Sequence, residues 1–112
     1  MELSFASRKL QKVCESENEL RRAYGNDCAK KAMNRLSDLR AAATLEEMRN
    51  LPGRCHELAG DRAGQLGIEL AGGRRLVIAP TGGWPSGKEG GAQVWSEIEA
   101  VQVLEIVDYH DD

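Results

Sequence analysis

The chain has 112 residues, which suffices for one small domain with a modest hydrophobic core and leaves little room for a second. It carries 15 Lys and Arg against 18 Asp and Glu, and the resulting net charge of −3 argues against strong non-specific attraction to free nucleic acid, whose binding depends on cationic side chains that neutralise phosphates. Most of the basic residues lie in residues 1–50, whereas residues 51–112 are acidic on balance, so local basic patches remain open.

The cysteines and the first residues bear on the cellular compartment. Cys14, Cys28 and Cys55 lie far apart and show none of the CxxC spacing of zinc sites or redox pairs, so we expect reduced thiols. Residues 1–5 lack the basic leader and apolar run of a secretion signal, and nowhere do about 18 apolar residues follow one another. These features predict a soluble, cytoplasmic protein without a membrane partner.

The N-terminal part of the sequence predicts a short strand and then a helix. Leu3 and Phe5 alternate with polar neighbours, which is typical of a strand. Ser7 can cap the helix that follows. The buried side of this helix would contain Leu10, Val13 and Cys14.

Further helices are predicted after it. Residues 17–24 predict a second short helix, which Gly25-Asn26 would end because both residues tolerate a left-handed backbone. Asp27 is then predicted to cap a longer helix. Thr44, with Glu47 three residues later, shows the capping-box pattern of one more helical turn. The buried stripe of the long helix would comprise Ala29, Ala32, Met33, Leu36, Leu39 and Ala43.

The C-terminal half predicts strands. Within residues 64–79, Leu66, Ile68 and Leu70 alternate with Gly67 and Glu69 before the tight turn Gly72-Gly73. The apolar run Leu76-Val77-Ile78 then continues as a return strand, so this segment is typical of a β-hairpin. The nearly continuous apolar run at residues 101–107 predicts a strand in the middle of a sheet. The sequence therefore predicts an α+β domain with the element order β-α-α-β-β-β.

A segment rich in Gly and Pro, residues 80–93, separates the hairpin from the last strand. It holds too many helix- and strand-breaking residues for a regular element, and we expect it to be mobile or ordered by a partner. Of the two tryptophans that bracket it, we expect Trp95 to anchor the segment to the core and Trp84 to be exposed.

Three sets of residues accompany this element order: His56 followed by Gly60-Asp61-Arg62-Ala63-Gly64, a hairpin that contains Arg75, and the terminal Asp108-Tyr109-His110. Together with the element order, they resemble the HigB group of the RelE toxin superfamily. The resemblance covers nearly the whole chain and implies one domain over residues 1–112 with a RelE-like fold, in which an N-terminal strand and helices pack on a small, mainly antiparallel sheet.

This resemblance implies a function. HigB-like proteins, also called proteic killer proteins, are toxins of bacterial type II toxin-antitoxin systems, and they are ribosome-dependent endoribonucleases that cut mRNA during translation. The implied partners are the ribosome with its mRNA and a helix-turn-helix, HigA-like antitoxin. Operator DNA would be contacted only through that antitoxin.

The chemistry of such an enzyme needs no metal or cofactor. RNA supplies its own nucleophile, the 2′-hydroxyl, so cleavage requires a base to remove its proton, cations to stabilise the phosphorane, and an acid to protonate the departing 5′-oxygen. Neutral imidazole is a competent base near pH 7, and a guanidinium binds phosphate oxygens through two parallel hydrogen bonds.

The resemblance assigns the catalytic positions to His56, Arg75, Asp108, Tyr109 and His110. Arg75 would stabilise the phosphorane, His56 and Asp108 would handle protons, and Tyr109 would stack on a base or position its phosphate. His110 is the more ambiguous of the two histidines.

Two further arginines are assigned to RNA binding. Arg62 matches the family's Gly-Asp-Arg element, where a structural salt bridge and contact with RNA are equally open. Arg74 adjoins Arg75, and by default the two would form a solvated pair at the hairpin turn.

The sequence also departs from the family. Ala59 and Ala63 stand where relatives commonly place basic residues, which removes cations from the site and puts catalytic activity in doubt. Two functional classes therefore stay open. The favoured one is an active mRNA endoribonuclease; the alternative is a catalytically weak or inactive RelE-like binding module that contacts an antitoxin or the ribosome.

Overall fold

Five strands form one mixed sheet in the computed structural model of the protein, which describes residues 1–85 and 92–108. Ordered along the chain, they are β1 (Glu2–Phe5), β2 (His56–Glu57), β3 (Leu66–Glu69), β4 (Arg74–Pro80) and β5 (Ala100–Asp108). In space the order is β1-β5-β4-β3-β2, with β1 parallel to β5 and the other neighbours antiparallel. The α+β class and the hairpin are confirmed, as is the interior position of the last strand, which has a neighbour on each side. Strand β2 was not predicted.

Three α-helices follow β1: α1 (Arg8–Cys14), α2 (Glu17–Tyr24) and α3 (Asn26–Ala41). Each of the three was predicted from its own segment, although the overall order β-α-α-β-β-β counts one helix fewer. Ser7 caps α1 as expected, because its Oγ accepts a hydrogen bond from the backbone N–H of Leu10 at 3.1 Å. Three 3₁₀ helices, Leu45–Asn50, Gly60–Arg62 and Ala92–Glu97, complete the described elements.

The start of α3 differs from the prediction that Asp27 caps it. The helix begins at Asn26, directly after Gly25. The φ of +87° at Gly25 interrupts the helical conformation and so separates α2 from α3. No side chain caps this end. Asp27 lies inside the first turn, where its carboxylate interacts favourably with the positive end of the helix dipole. Thr44 likewise makes no side-chain cap; Glu47 instead accepts a hydrogen bond from the backbone N–H of Ala43.

Two residues of the predicted buried stripe are exposed, so the prediction is wrong for them. Met33 is 37% exposed, and Ala43 is exposed. Met33 follows the buried Ala32 by about 100° around the helix, which turns it toward solvent. Because α3 ends at Ala41, the extended backbone at Ala42 brings that residue into the core instead of Ala43.

The core lies between the helices and one face of the sheet. Each fully buried aliphatic side chain there contributes about 1.5–3 kcal/mol relative to exposure. The opposite face of the sheet, here called the outer face, carries no α-helix among the described residues. The large core side chains include Leu20, Leu36, Leu39, Leu45, Met48, Leu66, Ile68, Leu76, Ile78 and Val101.

The three cysteines are free and buried. Desolvation raises the pKa of the Cys14 thiol from its ordinary value of 9.0 to about 11, and that of Cys55 to about 12, with nearby arginines opposing the shift. Both thiols are therefore neutral in the folded protein at pH 8.

This burial makes alkaline stability depend on the cysteines. Above pH 9 the thiols ionise in the unfolded chain, whereas burial keeps them neutral in the folded protein until a higher pH. Ionisation therefore stabilises the unfolded state, and the free energy of unfolding should fall as pH rises from about 9 toward 12. Urea denaturation at pH 8, 9, 10 and 11 would measure it, and the fall should be shallower in Cys55→Ala. An equal slope in the variant would contradict the assignment, since lysines and tyrosines titrate alike in both proteins.

Candidate functional site

The strand register brings one row of residues together across the outer face of the sheet. His56 pairs with Gly67, Gly67 with Val77, and Val77 with Glu105. Directly paired residues of antiparallel strands point to the same face, and the neighbours of Val77 belong to the helix-side core. His56 and Glu105 therefore lie on the outer face, at opposite ends of this row.

The 3₁₀ helix Gly60–Arg62 and its flanks cross over this row. Arg62 belongs to the connection between β2 and β3, yet its Nη2 donates to Oε2 of Glu105 in β5 at 2.8 Å. The side chain of Arg62 thus reaches past β3 and β4, and Val77 beneath it is fully buried although it faces away from the helices. The connection forms an arch over the outer face.

A cleft of about 330 Å³ opens under this arch. It contains two guanidinium groups from distant parts of the chain, Arg62 from the arch and Arg75 from β4. Ala59 also lines the cleft and contributes no charge there. The lining residues are Leu58, Ala59, Asp61, Arg62 and Arg75.

Arg75 reaches into the cleft because Gly67 has no side chain. A Cβ at Gly67 would lie 3.0 Å from Cδ of Arg75 and 3.2 Å from Cδ2 of Leu58, which is closer than ordinary van der Waals contact. The aliphatic part of Arg75 therefore packs over Gly67, the residue that pairs with His56. The structure thus places two predicted residues, His56 and Arg75, on either side of one glycine.

The geometry of His56 defines its tautomer. Its Nδ1 lies 2.7 Å from the carbonyl oxygen of Arg54, and a carbonyl oxygen can only accept, so Nδ1 carries the hydrogen. In the neutral ring Nε2 then holds the lone pair and is the atom that can accept a proton. His56 is half-buried, which leaves the ring accessible.

Arg74 and Asp108 do not join this cleft. They pair with each other across β4 and β5, whereas Arg75 pairs with Val107, so alternation puts Arg74 and Asp108 on the helix side of the sheet. There the guanidinium of Arg74 lies 5.5 Å from the ring centre of Tyr24. The expected solvated pair of arginines is therefore wrong, because consecutive strand residues face opposite ways. Tyr109 and His110 lie outside the described residues.

Two tryptophans are fixed to the segment that builds the cleft. The indole N–H of Trp95 donates to Oε2 of Glu57 at 2.8 Å, and that of Trp84 donates to the carbonyl oxygen of Gly64 at 3.0 Å. Trp95 is 2% exposed, which confirms its predicted anchoring role. Trp84 is half-buried, so the prediction that it is exposed is wrong: its indole has a backbone acceptor beside the arch.

The sequence interpretation missed Glu105 and Gly67. Glu105 interrupts the apolar run of β5, and a lone carboxylate in such a run was the available signal. Gly67 looked like an ordinary alternating position of the hairpin, and only the side chain that packs over it reveals its role.

Among residues 1–85 and 92–108, no helix has the length and apolar character needed to cross a bilayer, and no group of three or more His, Cys, Asp or Glu could hold a metal ion. Comparison of the chain with protein-family models, curated proteins and solved structures gave no match.

Proposed function

We propose that the chain is a HigB-like toxin with a RelE-like fold, which cleaves mRNA on the ribosome by attack of the 2′-hydroxyl on the adjacent phosphate. The observation that supports this most is the convergence of Arg62 and Arg75 in one cleft, with His56 on the same face of the sheet. Two guanidinium groups at one concave site suit a phosphodiester, whose oxygens accept paired N–H donors.

In the proposed reaction, Nε2 of His56 removes the proton of the 2′-hydroxyl. The resulting oxygen attacks phosphorus, and the bond to the 5′-oxygen breaks, which leaves a 2′,3′-cyclic phosphate and a 5′-hydroxyl. Arg75 stabilises the negative charge that accumulates on the phosphorane. Because Asp108 faces the helix side, proton donation to the 5′-oxygen is assigned to Tyr109 or His110, the remaining positions that the resemblance implies.

A second candidate function is a binding module with little or no cleavage activity. It is favoured by the composition of the cleft: Ala59 brings no charge there, and Arg62 is already paired with Glu105. Such a module would use the same surface, or another one, to contact an antitoxin or the ribosome.

Expression without an antitoxin separates the two candidates. Induction in bacteria is expected to stop growth and to create new mRNA 5′ ends inside translated codons, detected by primer extension. His56→Ala should reduce cutting by about 10²–10⁴-fold, the usual contribution of a general base. Glu99→Gln, an exposed change before β5, is the control and should cut like the wild type.

Protein levels must be matched by immunoblot in this comparison. Normal growth and unchanged mRNA 5′ ends with the wild-type chain would overturn the proposed enzyme and favour the binding module. Cleavage of naked RNA is not the readout, because a ribosome-dependent enzyme takes its substrate geometry from the ribosome.

A further inference from the structure

The ion pair between Arg62 and Glu105 has an unusual location. It joins residues 43 positions apart, from the arch and from the interior strand β5. The second Nη of Arg62 donates to Oε1 of Gln65 at 3.0 Å, so both of its terminal nitrogens contact acceptors of the protein itself. Both charged side chains keep partial exposure, 32% for Arg62 and 47% for Glu105.

Glu105 presents to Arg62 the same chemistry that a phosphate would. A carboxylate and a phosphodiester each offer two oxygens to a guanidinium, and both are singly charged at neutral pH. Arg62 lines the cleft that also contains Arg75. An RNA phosphate that enters the cleft therefore meets a cation whose partner is a carboxylate of the same molecule.

We propose that Glu105 is an internal competitor for the phosphate site, and that an RNA phosphodiester binds Arg62 by taking the place of Glu105. The proposal rests on the proposed function for the identity of the anion. Because the ion pair is partly exposed, it is weak enough to be exchanged rather than permanent. Glu105 thereby sets the affinity of the cleft and restricts it to substrates that are positioned by further contacts, such as those on the ribosome.

Removing the competing charge should strengthen RNA binding. The test measures fluorescence anisotropy of a short fluorescein-labelled 2′-O-methyl oligoribonucleotide, which lacks the nucleophilic hydroxyl, at several salt concentrations. Glu105→Gln is expected to bind ~3- to 10-fold more tightly than the wild type, since a carboxylate no longer repels or displaces the phosphate. Its salt slope should steepen by ~0.7, the value for one added phosphate contact with single-stranded nucleic acid.

Glu99→Gln is the matched control, because it removes the same charge from an exposed position outside the cleft lining. It should change affinity much less than Glu105→Gln. In the double variant Arg62→Gln, Glu105→Gln the gain must disappear, because the cation that the phosphate would bind is absent. Thermal denaturation of each variant tests whether the fold is retained.

The outcomes separate this inference from the proposed function. Three results would each overturn the role of Glu105. They are equal affinity of Glu105→Gln and Glu99→Gln, a gain in affinity that persists when Arg62→Gln is added, and no RNA binding by any of these proteins. Tighter binding by Glu105→Gln, combined with no new mRNA ends in cells, would support Glu105 as competitor and overturn the endoribonuclease.

Discussion

Arg75→Ala is expected to lower mRNA cleavage in translating cells by about 10²–10³-fold, the cost of losing one preorganised donor at a phosphorane. The guanidinium lines the cleft, and the aliphatic part of its side chain is held over Gly67. Primer extension at matched protein levels measures the loss. Arg75→Lys should restore little, because an ammonium cannot make two parallel hydrogen bonds to a phosphate.

Arg22→Ala is the matched control for this change. It removes the same charge from helix α2, where the side chain is 77% exposed in an ion pair with Glu19. Arg22 does not line the cleft, so this variant should cut like the wild type. Equal loss in both variants would mean that overall charge, rather than the position of Arg75, determines activity.

Gly67→Ala provides a second view of the same site without any change of charge. The added Cβ would lie 3.0 Å from Cδ of Arg75, so the long side chain must move while the guanidinium is retained. Cleavage should fall although the net charge of the protein is unaltered. Full cleavage by both Arg75→Ala and Gly67→Ala would remove Arg75 from the mechanism.

The parts of the fold that were predictable from sequence depend on short-range patterns. The turn at Gly72-Gly73 lies between an alternating apolar run and the continuous run Leu76-Val77-Ile78, and both glycines adopt positive φ, at 70° and 76°. The end of α2 was predictable because Gly25 acts locally on the backbone, and at the other end the Oγ of Ser16 accepts a hydrogen bond from the backbone N–H of Glu19. Strand β2 has only two residues and is defined by its pairing with β3. No local sequence pattern therefore predicts it.

The candidate site was less predictable because it depends on register and on distant contacts. The resemblance grouped Arg75 with Asp108. Asp108 pairs with Arg74, however, so Arg75 and Asp108 lie on opposite faces of the sheet. The Arg62–Glu105 pair joins elements whose approach depends on the strand order. A residue-by-residue resemblance transfers side-chain types to positions, but alternation along each strand decides which of them meet.

Gly53→Ala should be the most destabilising small substitution in the loop before β2, at about 3 kcal/mol or more. The residue has φ +104°, where a side chain is strained, and a Cβ would lie 2.5 Å from Cγ2 of Ile68 and 2.9 Å from Cδ of Arg35. Its carbonyl oxygen accepts a hydrogen bond from the backbone N–H of Glu69 at 2.6 Å, so the loop cannot move away without breaking this link to β3. Urea and thermal denaturation should show a Tm lower by more than about 10 °C.

Gly83→Ala separates the two causes of this loss. Gly83 has φ +88°, but a Cβ there would meet no atom within 4 Å, so this variant carries the backbone strain without the collision. It should cost about 1–2 kcal/mol. If both variants lost the same stability, packing against Ile68 would play no part in the loss. The larger loss expected for Gly53→Ala would show that close contact with β3 holds the loop before His56. The same strand contains Gly67, over which the side chain of Arg75 packs.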